Sequence, residues 1–310
     1  MSMKKRAVLI AISLISITNM WGSAKSITNA PYEGYQYDAD GVSTAAPLGY
    51  VADKSVSGRD LRLESGSGKV TALAVDASDS AMERLYLVQG GCVIETDENL
   101  QVRAFCDRFY DAAGNTLDIT GVQSVAADPA QGLLYLADAR HGRLIVADMT
   151  GLVHTVVTAQ TINRDSFAPF CVERAADGGL LVLDRNAMGG YYRFSAQGMP
   201  ERYVDVPGAN LCDLYVDGLM QKVYALGTGG DIWDLDAGAP ITSAGIPGAA
   251  SFTRDGSGSF YIAQASKIWR VIPDGPQEEM ALCEQPVAVL AYSPFKDGLL
   301  ALGADSAFRL

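Results

Sequence analysis

The chain has 310 residues, a formal net charge of −12 at pH 7, and only two histidines and five cysteines. An acidic surface repels phosphate backbones and anionic lipid headgroups, so this composition argues against binding to nucleic acids or to membrane surfaces. The length could hold two domains, but no Pro/Ser-rich linker interrupts the sequence, and all-β domains often use this much chain. We therefore predict one main domain.

The N-terminus has the pattern of a secretory signal peptide over residues 1–24. A basic start at 4–6 precedes an apolar run over 7–20 and a small-residue exit at 22–24. The run is shorter than the roughly 20 residues of an ordinary transmembrane helix, and no later run is long enough for the mature domain to insert into a bilayer. An uncleaved N-terminal anchor is the alternative. We predict a secreted or extracytoplasmic protein associated with the cell envelope.

A tyrosine-rich segment over residues 25–49 follows. Its tyrosines stand among Gly and Pro residues, a composition that forms neither an isolated strand nor an isolated helix. Because aromatic rings supply apolar area, we expect this N-terminal arm to dock on a larger domain rather than remain a floppy tail. Tyr50–Val56 and Leu61–Glu64 are then predicted as short strands.

Residues 50–310 contain a repeated sequence pattern, which is clearest over 122–157. Each unit opens with a short apolar strand, often reaches an Asp, turns, and enters a more apolar second strand, followed by a third and a fourth. Six units of roughly 37–52 residues with short strands of this kind are typical of a β-propeller. The predicted fold is all-β: a six-bladed β-propeller with four-stranded antiparallel blades.

The sixth unit is incomplete in the sequence. It ends at Leu310 on a predicted third strand, Ala307–Leu310, and has no fourth. An open ring would leave unpaired strand edges, which closure removes. We therefore expect an N-terminal strand, either Val51–Val56 or Leu61–Glu64, to complete the last blade; a truncated chain is the alternative.

The segment Ala137–Asp148 resembles the NHL-repeat signature. In that family an alanine-aspartate pair precedes a tight turn, an arginine, a β run and an aspartate, and Asp138, Arg143 and Asp148 occupy the matching positions. The resemblance implies a structural role for these three residues. The other units keep the strand pattern but lose the motif. The region over 31–51 also resembles the pre-propeller segment of exported bacterial NHL-repeat proteins, and the resemblance implies an accessory role in extracellular carbohydrate binding or uptake.

The candidate ligand-binding surface lies on one face of the predicted propeller. Loops that join strands two and three of a blade share a face with loops that join one blade to the next, and the two longest interblade loops, 107–121 and 158–169, carry aromatic and arginine residues. The predicted ligand-binding residues are Arg108, Phe109, Tyr110, Arg140, His141, Arg164, Asp165, Phe167, Asp184, Arg185 and Asn186.

Aromatic rings beside charged hydrogen-bonding groups suit the recognition of sugars or peptides. The leading hypothesis is an exported, non-catalytic binding or scaffold protein without a cofactor, whose partner is a glycan or an envelope or secreted protein. The alternative interpretation of these rings is that they merely fix long loops to the rim. No catalytic residue is predicted, since the sequence lacks a Gly-x-Ser-x-Gly elbow and His141 is interpreted as a loop residue.

A metal-dependent lactonase of the gluconolactonase-like type is the alternative function. Such propellers hold a divalent ion, and the oxygen ligands available here, Glu173, Asn210 and Asp213, suit Ca²⁺ or another divalent metal. The first unit begins Gly68–Ala72 and lacks the glutamate that the resemblance requires at that opening, which weighs against this function.

Two of the five cysteines are candidates for a disulfide. Cys92 and Cys106 stand symmetrically about Asn99, the centre of a predicted hairpin, which would place them nearly opposite each other. We weigh a Cys92–Cys106 disulfide equally against free thiols.

Overall fold

The computed structural model describes residues 70–79, 82–98, 101–218, 220–273, 275–283, 286–295 and 298–303, together with four short strands nearer the N-terminus. The predicted signal peptide and tyrosine-rich arm lie largely outside the described residues. Within these ranges no helix is long and apolar enough to cross a membrane. The chain divides into two compact units, one of residues 70–247 and one that combines 1–69 with 248–310.

Short strands occur at four places before residue 70. They are β1 (Val8–Ile12), β2 (Tyr35–Tyr37), β3 (Ser43–Ala45) and β4 (Ala52–Ser55). β2 and β3 pair as an antiparallel hairpin.

The unit of residues 70–247 consists of four antiparallel sheets, each built from four consecutive strands, and one small hairpin. The first sheet contains β5 (Val70–Asp79), β6 (Met82–Gln89), β7 (Cys92–Asp97) and β8 (Val102–Cys106), and the hairpin contains β9 (Phe109–Tyr110) and β10 (Thr116–Leu117). The second sheet contains β11 (Val122–Asp128), β12 (Leu133–Asp138), β13 (Arg143–Asp148) and β14 (Val153–Thr158). The third contains β15 (Pro169–Arg174), β16 (Leu180–Asp184), β17 (Gly190–Phe194) and β18 (Pro200–Asp205), and the fourth contains β19 (Leu211–Asp217), β20 (Lys222–Gly227), β21 (Asp231–Asp234) and β22 (Ala239–Ser243).

The other unit holds two further sheets. The fifth sheet is again antiparallel and consecutive, with β23 (Ala249–Arg254), β24 (Phe260–Gln264), β25 (Lys267–Val271) and β26 (Gln277–Leu282). The sixth contains the antiparallel pair β27 (Val287–Ser293) and β28 (Gly298–Gly303), followed by β1 and β4 in the order β27-β28-β1-β4.

Five of the six predicted four-stranded antiparallel blades are confirmed, and the sixth is not. Its outer positions are taken by β1 and β4, which pair in parallel with β28 and with each other. β4 lies within the predicted donor segment, but its neighbour is β1 rather than β28. The predicted strands Leu61–Glu64 and Ala307–Leu310 fall outside the described residues. The reason for the difference is that a parallel partner from a distant segment leaves no trace in the repeat period.

Burial explains why the second strand of each blade is the most apolar. Every residue of β16 is buried, as are all but the first residue of β12, whereas β18 is largely exposed. A strand that is covered on both faces has a continuous run of apolar residues, while an outer strand alternates between apolar and polar residues. The largest fully buried side chains include Tyr135, Phe194 and Phe252.

One hydrogen-bonded turn recurs between the third and fourth strands. The residue that ends or follows the third strand accepts a backbone N–H from four residues onward: Asp97 from Gln101 at 2.9 Å and Asp148 from Leu152 at 3.2 Å. In the third blade Ser195 accepts from Met199 at 3.2 Å. Short polar side chains stabilise such turns by replacing a backbone acceptor. The NHL-like aspartate at 148 therefore has the structural role that the resemblance implied.

Candidate functional site

The interblade loops and the turns between second and third strands meet at one edge of the second and third blades, as predicted. The N–H of Ala168, in the loop before the third blade, donates to Asp184 Oδ1 at 2.8 Å, and the N–H of Arg185 donates back to Ala168 O at 3.1 Å. In the second blade, Gly121 lies so close to Asp138 and Arg140 that a Cβ there would overlap with them. We call this side the loop edge.

At the loop edge of the second blade, a buried carboxylate orients a histidine. Asp138 has 0% exposure and accepts from His141 N at 3.1 Å, from His141 Nδ1 at 2.8 Å and from Arg143 Nε at 3.0 Å. An ionised carboxylate can only accept hydrogen bonds, so Nδ1–H of His141 is the donor. The other nitrogen, Nε2, lies 3.7 Å from Asp118 Oδ2, and the ring is 32% exposed. The motif thus builds the turn and leaves one imidazole nitrogen accessible.

The equivalent turn of the third blade presents an arginine in a fixed position. Nη2 of the exposed Arg185 donates to Oε1 of Gln123 in β11 at 2.7 Å, and its guanidinium lies 4.9 Å from the ring centroid of Phe170. We call Gln123, Phe170 and Arg185 the Arg185 cluster. The adjacent Asp184 is 1% exposed and uses Oδ1 to accept from Ala168 and Asn186. Its Oδ2 has no hydrogen-bond partner among the described residues.

The remaining predicted ligand-binding residues separate into buried rings and exposed polar groups. Phe109 and Phe167 are 1% and 4% exposed, and the ring of Phe167 meets that of Tyr192 edge to face at 5.8 Å. These two rings lie in the core and fix the interblade loops. Tyr110 is partly buried. The exposed members of the set are Arg108, Arg140, His141, Arg164, Asp165, Arg185 and Asn186.

A second polar group lies on the first strands of the third and fourth blades, which line the central channel in a propeller. Cys171 Sγ donates to Asp213 Oδ1 at 3.4 Å, and the N–H of Leu214 donates to the same oxygen at 3.0 Å. Burial, and then the nearby charge of Asp213, raise the pKa of Glu173 to about 8. This pair of carboxyl groups therefore holds a proton more readily than two isolated carboxyl groups would.

The third residue of the predicted metal set points elsewhere. Asn210 is exposed, and its Nδ2 donates to Thr228 Oγ1 at 3.0 Å. In the described part of the chain, no three His, Cys, Asp or Glu side chains are grouped so that they could hold a metal ion. Glu173 and Asp213 are brought together, and a metal there would need ligands beyond these two carboxylates.

The hairpin that carries Cys92 and Cys106 differs in register from the prediction. Cys106 pairs with Val93, one residue away from the predicted partner, and its Sγ donates to Arg108 O at 3.4 Å. Both thiols are free. Burial raises the pKa of both, so neither is an activated nucleophile.

Sequence reasoning missed Gln123, which turns out to hold Arg185. Its only signal is a long polar side chain in the second position of a strand that is otherwise small or apolar up to Asp128. The contact joins residues 62 positions apart, so it follows from the adjacency of blades and not from a local motif.

Comparison with known proteins identifies the fold. No known family profile matches the chain, and no curated protein matches it in sequence. Among solved structures, a catalytically inactive virginiamycin B lyase from Staphylococcus aureus with quinupristin has a TM-score of 0.52 at 12% identity, covering 74% of this chain and 77% of that one. A streptogramin B lyase has a TM-score of 0.53 at 12% identity, covering 74% and 76%. Raptor from Chaetomium thermophilum has a TM-score of 0.51 at 11% identity, covering 75% of this chain and 23% of that one.

The chain is a β-propeller. Virginiamycin B lyase is one as well, and at such identities the likeness establishes the fold alone. The NHL-repeat type and export remain predictions.

Proposed function

We propose that this propeller is an exported, non-catalytic binding protein that contacts a glycan, or another protein of the cell envelope, through the loop edge of its second and third blades. The observation that carries the proposal is the Arg185 cluster. Its guanidinium is exposed, hydrogen-bonded to Gln123 at 2.7 Å and positioned over the ring of Phe170. A side chain ordered before binding loses less entropy when the ligand arrives.

The surroundings of the cluster support the same function. Exposed polar side chains from three consecutive loops, including Arg140, Arg164 and Asn186, extend the surface beyond Arg185. The buried rings of Phe109 and Phe167 fix the loops that carry them. Fixed loops on a rigid β scaffold are the usual location of binding residues.

The test is a binding screen with purified protein against immobilised cell-envelope polysaccharides and solubilised envelope proteins. We expect at least one class to be retained, and Arg185→Ala together with Arg140→Ala to lower retention about tenfold. Arg103→Ala is the matched control, because Arg103 is also exposed but lies on β8, where it pairs with Asp97 at 3.6 Å. The absence of retention in every class would overturn the proposal.

A metal-dependent lactonase is the second candidate. The observation in its favour is the coupling of Glu173 and Asp213, since a pair of carboxyl groups near a channel is a common element of hydrolytic and metal sites. The test is a thermal melt in EDTA and then with Ca²⁺, Mn²⁺ or Zn²⁺, because an ion bound only by the folded state raises the melting temperature. A rise that Asp213→Ala abolishes would justify a lactone panel, with quinupristin added because a structurally similar lyase was solved with it. No rise with any ion removes this candidate.

A further inference from the structure

We propose that the Arg185 cluster binds the carboxylate of an acidic sugar, such as a uronic acid unit of a glycan. The inference rests on the proposed binding function and names its ligand class. It is based first on the contacts that hold the guanidinium of Arg185 in place. Nη2 donates to Gln123 Oε1 at 2.7 Å, and Cζ lies over the ring of Phe170, 4.9 Å from its centroid, so the group is ordered before any ligand arrives.

Within the described part of the chain, Arg185 has no anionic partner, unlike three other arginines of the same blades. Arg143 pairs with Asp138 at 3.0 Å, Arg174 with Asp128 at 2.8 Å and Arg193 with Glu201 at 3.0 Å. No carboxylate among the described residues lies within ion-pair distance of Arg185, although the chain carries a net charge of −12.

The nearest carboxylate in sequence does not serve as that partner. Asp184 directs Oδ1 to the backbone N–H groups of Ala168 and Asn186, at 2.8 and 3.0 Å, and is 1% exposed. An ordered, exposed guanidinium in an acidic protein thus lacks an anion, and an external anion supplies one.

The chemistry of the free N–H groups favours a carboxylate. A guanidinium has five N–H donors in one plane, and the contact with Gln123 uses one of them. A planar carboxylate accepts two parallel hydrogen bonds from the remaining edge. A phosphate monoester carries up to two negative charges, and the acidic surface repels it more strongly than it repels a singly charged carboxylate.

The neighbouring groups favour a sugar as the carrier of that carboxylate. Gln123 and Asn186 are exposed amides, which both donate and accept hydrogen bonds and so suit hydroxyl groups. The partly buried ring of Phe170 beside them lies under the guanidinium of Arg185 and helps to orient it toward such a ligand. An acidic peptide would use the arginine but would leave the amides with fewer partners.

The experiment is calorimetric titration of the full-length protein with galacturonic acid trisaccharide, with the neutral galactose trisaccharide of the same linkage, and with tri-glutamate. We expect the acidic trisaccharide to bind at least about tenfold more tightly than either comparison ligand. Arg185→Gln should remove this preference, and Arg185→Lys should weaken it because an ammonium cannot form the paired contact. Arg103→Gln is the control and should leave it unchanged, and melting temperatures confirm that each variant is folded.

Three outcomes would overturn the inference. Equal affinity for the acidic and neutral sugars would show that the carboxylate is not recognised, while the proposed binding function stands. Tighter binding of tri-glutamate, lost in Arg185→Gln, would assign the site to acidic peptides. A preference for the acidic sugar that survives Arg185→Gln would place recognition elsewhere. If no ligand in the envelope screen binds at all, the proposed function itself fails.

Discussion

The carboxylate of Asp128 at the end of β11 lies 2.8 Å from Nη2 of Arg174 at the end of β15, so a charged pair joins the first strands of two neighbouring blades. Asp128 has 0% exposure, and the buried ring of Tyr135 lies close enough that burial, and then the charge of Asp128, raise the pKa of its hydroxyl to about 12. The same two strands meet again where the N–H of Val172 donates to Ser124 Oγ at 3.0 Å. Polar contacts therefore supplement apolar packing between these blades.

Arg174→Ala should destabilise the protein by about 3 kcal/mol, because it leaves the buried carboxylate of Asp128 without its charged partner. Urea unfolding followed by circular dichroism measures the change. Arg193→Ala is the matched control: Arg193 pairs with Asp177 and Glu201 on the surface, and exposed pairs contribute about 1 kcal/mol or less. Similar losses of unfolding free energy in the two variants would show that the pair of Asp128 and Arg174 stabilises the protein no more than an exposed pair does.

Asp138→Ala should also destabilise the protein, by about 3 kcal/mol, since it removes the acceptor of three hydrogen bonds, two of them from Arg143 Nε and His141 Nδ1. Asp118→Ala serves as the comparison, because Asp118 is 57% exposed and lies 3.7 Å from the same imidazole. We expect less than about 1 kcal/mol there. If both variants unfold at the same urea concentration, the turn does not depend on the buried carboxylate.

Gly151→Ala should be far more disruptive than Gly132→Ala, although both glycines have positive φ, +88° and +68°. A Cβ at Gly151 would overlap with the carbonyl oxygen of Arg108 in the loop before the second blade, whereas nothing lies within 4 Å of a Cβ at Gly132. Backbone strain alone costs about 1–2 kcal/mol in either variant. Any further loss of stability in Gly151→Ala therefore measures the overlap of the new Cβ with the carbonyl oxygen of Arg108. Thermal melts of the two variants compare them directly, and equal melting temperatures would refute the contact.

The raised pKa of Glu173 leads us to expect that the stability of the protein depends on pH. Its pKa is raised from 4.5 to about 8 in the folded protein, so the folded state holds more protons than the unfolded state between these values. The free energy of unfolding therefore falls as the pH rises from about 4.5 to about 8. Glu173→Gln, which cannot ionise, should melt with the native protein at pH 4.5 and about 5 °C above it at pH 9.

The control for this experiment is Glu201→Gln, an exposed residue on β18 of the same blade. It should follow the native protein at both pH values. A Glu173→Gln variant with no advantage at pH 9 would mean that Glu173 is solvated and not coupled to Asp213.

The sequence predicted the individual blades well because their signals are local. The repeat that is clearest over 122–157 corresponds to the second blade, whose strands run from Val122 in β11 to Thr158 in β14. Alternation, buried runs and Asp-containing turns all act within a few residues. The sixth sheet could not be predicted in the same way, because its outer strands come from the other end of the chain.

The candidate site was predicted only in part, for a similar reason. The grouping of Asp184 and Arg185 with the preceding interblade loop follows from propeller geometry. The burial of Phe167 and the pairing of Arg185 with Gln123 depend on which side chains of the adjacent blade fill the space. A loop aromatic has the same appearance in sequence whether it faces the core or the solvent.

The turn between the third and fourth strands closes within its own hairpin, through contacts such as Asp97 to Gln101 and Ser195 to Met199. The hydrogen bonds that reverse the chain at these turns therefore come from the hairpin itself and not from neighbouring blades. Substitutions in the loops at the opposite edge are therefore expected to leave this chain reversal intact.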